Sequence, residues 1–200
     1  MKSLTSIASP SLASLTPATA LAALAATVAL AALAPRTAAA DPGSLAGDVE
    51  VDPTAYILDG SSLHAGLARG HLRLDLGVYA MALPQAAHGD DGFDVAFDGF
   101  GAKLQWFPRA SRTGVFVGVD AGVARVRAHR QGTDLTVVDR QVSTGVHVGY
   151  RFALPANLYV TPWLGVGRAW GAEDLTVDGA TYEAMPVTVF PAVHLGYRFE

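Results

Sequence analysis

Cysteine is absent from all 200 residues, so no disulfide chemistry supports the fold. Cationic excess is missing too. Fourteen Lys and Arg stand against 18 Asp and Glu, which argues against a nucleic-acid-binding protein, whose basic patch would reverse that balance. Long apolar runs are confined to one place, the stretch "ALAALAATVALAALA" over 20–34. Nothing later in the chain is long and apolar enough to cross a bilayer as a helix, which takes ~20 residues. A sustained period of 3.6 is also absent, and with it the signature of amphipathic helices.

The apolar run itself has only fifteen residues, follows a single charge at Lys2, and leads into "PRTAAADP" with its small residues at Ala38, Ala39 and Ala40. That arrangement predicts a secretory signal peptide over 1–40 rather than a transmembrane anchor. Cleavage after Ala40 would leave 160 residues carrying 12 basic and 18 acidic side chains. Beyond it, 41–54 reads as a short lead or weak first strand, and 55–200 as one domain.

What the chain does have is period-two alternation, repeated in segments of ten to fifteen residues. In "HLRLDLGVYAM" (71–81), Leu72, Leu74, Leu76, Val78 and Ala80 share one face. The same scheme recurs over 98–107, 114–124, 141–152, 158–170 and 187–199, with a weaker example over 55–69. The domain is therefore all-β and antiparallel. Connections at 69–71, 108–114 and 153–157 are short; those at 82–92, 127–140 and 171–186 are long and polar. Short turns at one end and long loops at the other fit an up-and-down transmembrane β-barrel.

Two further features set the solvent of each face. The face opposite the apolar one is dominated by glycine, among them Gly77, Gly99, Gly101, Gly118, Gly122, Gly145, Gly149 and Gly196, which suits the crowded inside of a narrow eight-strand cylinder. Trp106, Tyr150, Phe152, Tyr197 and Phe199 all lie on the apolar face at the short-turn end, the layout of an aromatic girdle. With that girdle, the closing "HLGYRF" resembles the small bacterial outer-membrane barrels of the OmpA- and OmpX-like class. The resemblance spans about 55–199. It implies outer-membrane lipid as surroundings, the barrel-assembly machinery as a partner during biogenesis, and a C-terminal insertion signal in which Gly196, Tyr197 and Phe199 take the glycine and aromatic positions. A monomer is expected.

Seven strands stand out, and an even number requires an eighth. The one segment available is "GSLAGDVEV" (43–51). Pro162 and Pro191 fall inside strands, where each removes a ladder donor and suggests a bulge or strain. The inward face carries Arg73, Asp75, Lys103, Asp120, His147, Arg151, His194 and Arg198, expected to form a lumenal network of ion pairs, since buried charges need partners.

Signals for chemistry are thin. No pair among His64, His71, His88, His129, His147 and His194 has close metal-ligand spacing, and "AHGDDGFD" (87–94) lacks the ligand pattern of an EF-hand. No cofactor motif occurs; a glycine-rich phosphate loop is missing. Ser62 and His64 with Asp59 nearby are the candidates for a lipid-modifying enzyme, and polar strand filler explains them equally well; Ser143 and His147, four apart and both inward on one strand, stand about 13 Å apart along the axis. The expected role is structural or surface-interacting, through the long loops. The alternatives are a barrel enzyme acting on lipid and a soluble, lipocalin-like barrel holding an apolar ligand.

Overall fold

The computed structural model describes residues 44–199; the expected leader lies outside the described residues. Eight antiparallel strands close into a ring: β1 (Leu45–Val51), β2 (Ser61–Arg69), β3 (Leu72–Leu83), β4 (Phe93–Trp106), β5 (Gly114–Arg130), β6 (Thr136–Ala153), β7 (Leu158–Trp170) and β10 (Val187–Phe199). Each pairs with its chain neighbour, and β1 pairs with β10 to complete the barrel. A separate hairpin, β8 (Leu175–Val177) with β9 (Ala180–Tyr182), lies in the last long loop. The eighth strand is β1, in register from Gly47 opposite Phe199 to Val51 opposite Leu195.

The segment 55–69 is not strand throughout. Its first part is a short helix, α1 (Pro53–Ile57), entered through Asp52, whose side chain accepts from the Thr54 amide at 2.8 Å, with proline at the first helical position. An Asp-Pro start is a strong local helix signal. It outweighs the apolar "AYIL" that suggested a strand, and β2 begins only at Ser61 after a left-handed Asp59 (φ 51°). The expected loop over 127–140 also shrinks. β5 and β6 stay paired up to His129 opposite Thr136, leaving a tip of five residues. A second short helix, α2 (Gln85–His88), occupies the first long loop.

Neither proline sits in a bulge. The β7–β10 register is unbroken from Val187 opposite Arg168 to Tyr197 opposite Leu158, with Pro162 facing Val193 and Pro191 facing Leu164. Because alternate antiparallel pairs exchange hydrogen bonds and Pro162 cannot donate, these two are non-hydrogen-bonded pairs. Both proline nitrogens therefore point away from that ladder. For Pro162 this is towards β6, where pairing lapses between Gly149 and Phe152 and resumes in the same register. For Pro191 it is towards β1, which has already ended at Val51.

The wall is apolar outside. Leu72, Leu74, Leu76, Val78, Phe100, Leu104, Val115, Val117, Val119, Val146, Val148, Leu164, Val166, Val193 and Leu195 are all well exposed. A continuous apolar band of this extent far exceeds what a water-facing protein leaves bare. The soluble-barrel alternative required the opposite arrangement and finds no support. Among the described residues no helix is long and apolar enough to cross a membrane.

Candidate functional site

The inside of the barrel holds a dense cluster of charged side chains. At its centre Arg73, from β3 and wholly buried, donates from Nε to both oxygens of Asp48 on β1 (2.9 and 3.1 Å). Its Nη1 donates to Gln105 Oε1 at 3.0 Å, and its Nη2 lies 2.9 Å from Asp75 and 3.4 Å from Glu50. Asp75 also receives His64 Nδ1 (2.9 Å) and Lys103 Nζ (3.2 Å). Glu50 accepts from Arg151 Nη2 at 2.8 Å and from His194 Nδ1 at 2.9 Å. Three carboxylates, Asp48, Glu50 and Asp75, thus meet three permanent cations, Arg73, Lys103 and Arg151. That balance is what allows ionised groups to sit out of water.

Asp120 and His147 form a second pair, with Nδ1 3.0 Å from Oδ1. It connects to the first through Gln105, whose Nε2 lies 3.5 Å from His147 Nε2. Arg198 stands opposite Asp48 in the β1–β10 register and is half-buried. His147 and His194 do not touch; each packs against Trp163, at 5.6 and 5.7 Å between ring centroids. The close histidine pair is His64 with His194, at 4.8 Å.

Apolar layers bound this section on both sides. Towards the short turns, buried Phe107 and Phe116 pack with their rings tilted at 5.0 Å, and the Arg151 guanidinium lies over Phe107 (5.0 Å) and Tyr159 (4.2 Å). The glycine face makes this filling possible. A Cβ at Gly149 would come 2.5 Å from the Phe116 ring, and one at Gly196 would overlap the ring of Tyr159. Towards the long loops, Trp163, Phe190, Phe97 and Tyr79 form a chain of ring contacts between 5.8 and 6.4 Å. Above them the β8–β9 hairpin folds onto the inward side of β4–β6. There Tyr182 packs with Phe93, Val95 and Ala128, supported by Val126, Val137, Leu175 and Val177. Burial, with the Asp90 carboxylate adding to it, raises the Tyr182 phenol above its ordinary pKa.

Reading the sequence missed the two β1 carboxylates, Asp48 and Glu50, together with Gln105 and Tyr159; His64 was singled out as a catalytic candidate with Ser62, not as a member of this network. The signal was present in "GDVEV", where Asp48 and Glu50 alternate with Val49 and Val51. The grouping of Asp59, Ser62 and His64 is not assembled. Asp59 is exposed in its turn, Ser62 Oγ accepts from the Asp52 amide (3.2 Å), and the carboxylate on His64 is Asp75. Ser143 and His147 both face inward, and His147 is engaged by Asp120. Among the described residues no three His, Cys, Asp or Glu side chains gather as a metal site.

The five girdle aromatics all sit at the short-turn end. Trp106, Tyr150 and Phe152 are well exposed, Tyr197 and Phe199 half-buried. Tyr150 packs against Phe152 at 4.4 Å and Tyr197 against Phe199 at 5.4 Å. A closed eight-strand ring, apolar outside and ion-paired within, is the architecture of a β-barrel that crosses a membrane.

No family model matches the chain, and no curated protein does. Among solved structures it is similar to Neisserial surface protein A, at 13% identity, 78% of this chain and 94% of that one, with a TM-score of 0.48. It is also similar to a major outer membrane protein from Thermus thermophilus, at 17% identity, 78% and 100% coverage, and a TM-score of 0.49. The N-terminal β-barrel domain of Pseudomonas aeruginosa OprF is similar at 11% identity, 78% and 98% coverage, and a TM-score of 0.40.

Proposed function

We propose that the protein is a closed, non-conducting barrel that acts at the cell surface through its long-loop end. The observation that carries this reading is the filled lumen: an ion-paired section held between two aromatic layers, with a hairpin above packed on the inward side of β4–β6. The loops above carry Asp90, Asp91, Asp134, Glu173, Asp174, Asp178 and Glu183 and no Lys or Arg, so the surface offered to a partner is acidic. It suits a cationic contact. Recording across a planar bilayer containing the folded protein tests the closed lumen. The expected result is a silent membrane; sustained stepwise conductance would overturn the reading.

Insertion belongs to the same proposal. Tyr197 and Phe199 close the last strand on the lipid side and would present the signal read by the assembly machinery. Phe199→Ala is expected to lower the amount reaching the outer membrane, measured by fractionation, without changing the stability of the protein that does insert.

A further inference from the structure

The outward face changes character at the long-loop end. On β5 the outward positions Val115, Val117, Val119 and Val123 give way to Arg125 and Arg127; on β6, Val142 is followed by Arg140; on β4, Phe100 by Asp98. Trp106 pairs with Val117 at the girdle, eight residues below Arg125. At ~3.3 Å per residue and a tilt of ~40°, Arg125 and Arg127 stand about 20 and 25 Å higher along the barrel axis. That is the height of the apolar band of an outer-membrane barrel, ~25 Å. A second interfacial marker agrees. Trp170, outward and half-exposed, is paired with Val142 at this rim and donates from Nε1 to Thr144 Oγ1 at 2.9 Å.

The charges at this level do not cancel. Asp98 is shared by Arg125 (2.6 Å) and Arg127 (2.8 Å), both about two-fifths exposed. Arg140 lies directly opposite Arg125 in the strand register, and its guanidinium has no partner among the described residues. Like charges directly across a ladder destabilise it. Three arginines share one carboxylate at this level; the next outward one, Asp94, stands opposite His129 and is taken up by Gln131 at 2.8 Å, so the arginines are left with charge for an anion from outside the protein.

We propose that Arg125, Arg127 and Arg140 form a binding site for the phosphate of an outer-leaflet lipid headgroup, whose acyl chains lie along the valine face of β5 and β6 below. A guanidinium pair suits such a phosphate in both geometry and charge. The site rests on the membrane reading of the outer wall. It is independent of whether the lumen conducts.

The test folds the full chain into phosphatidylcholine nanodiscs doped with bis-phosphorylated lipid A, and counts lipid A retained on detergent release by native mass spectrometry. The same lipid A stripped of phosphate serves as comparison. Wild type should retain the phosphorylated form preferentially; Arg140→Gln should weaken retention about tenfold, given the strength of charge-assisted hydrogen bonds. Asp98→Asn should strengthen it, a direction that mere loss of structure would not produce. Arg109→Gln, at the opposite end, should leave it unchanged. Equal retention of the two lipid A forms, or no effect of Arg140→Gln in a chain that still folds, would overturn the proposal. So would displacement by inorganic phosphate at comparable concentration, which would make the site one for the free anion.

Discussion

Replacing Arg73 by methionine tests the lumen most directly. The side chain is wholly buried and contacts Asp48, Glu50, Asp75 and Gln105. Its removal leaves Asp48, Glu50 and Asp75 without the guanidinium they share. Breaking a buried pair from one side costs about 3–5 kcal/mol, because the partner remains charged and without its counter-ion. With a urea slope of about 2 kcal/mol/M, the unfolding midpoint should fall by roughly 1.5–2.5 M. The assay is urea titration of the protein folded in lipid vesicles, followed by fluorescence of Trp106, Trp163 and Trp170 and by gel mobility. A double variant, Arg73→Met with Asp48→Asn, should recover more than about 1 kcal/mol of the loss, since it removes the orphaned charge too. A midpoint shift under about 0.3 M for the single variant, or strict additivity in the double, would refute the idea that the ion pairs are interdependent.

Three further outcomes are expected. Tyr182→Ala, which removes the ring packed on Phe93 and Val95, should expose 171–186 to protease while the barrel below stays intact. Gly122→Ala should cost about 1–3 kcal/mol in the same urea titration, because the new Cβ would sit 2.8 Å from the Phe100 carbonyl oxygen, a backbone atom that cannot step aside. The protein should resist SDS until boiled and change mobility on heating, as a closed ring of paired strands requires; a single band at one position before and after boiling would contradict the closed barrel.

The strands were legible wherever one face meets lipid, because there the period-two contrast between valine and glycine is at its sharpest. It faded where the solvent changed. At the upper rim the outward face leaves the hydrocarbon for the headgroup level, so Arg125, Arg127 and Arg140 replace valines and 127–140 looks like a polar loop, although Val126, Ala128 and Val137 still point inward. α1 was hidden for a different reason: five residues are too few to show a helical period, and only the Asp52 cap gives it away. Of the lumen, the cations were readable as inward positions on well-patterned strands. Their main counter-charges, Asp48 and Glu50, lie on the shortest strand of the ring, where seven residues give alternation little room. No pattern along one strand states which strand closes against which, and that closure creates the network.

β1 therefore does more than fill the eighth place. Glu50 is 101 residues from Arg151 and 144 from His194 along the chain, so these partners meet only when the two ends of the sheet join. Arg73 already has Asp48 within the β1–β2–β3 meander, but until the ends join Arg151 lacks Glu50, and an open curved sheet would hold that cation against hydrocarbon or trapped water. Sealing the wall and completing the charge balance of the interior are one event. The first strand acts as a latch carrying the missing charge: a chain deprived of it would not settle as a smaller barrel, because its remaining strands are electrically incomplete.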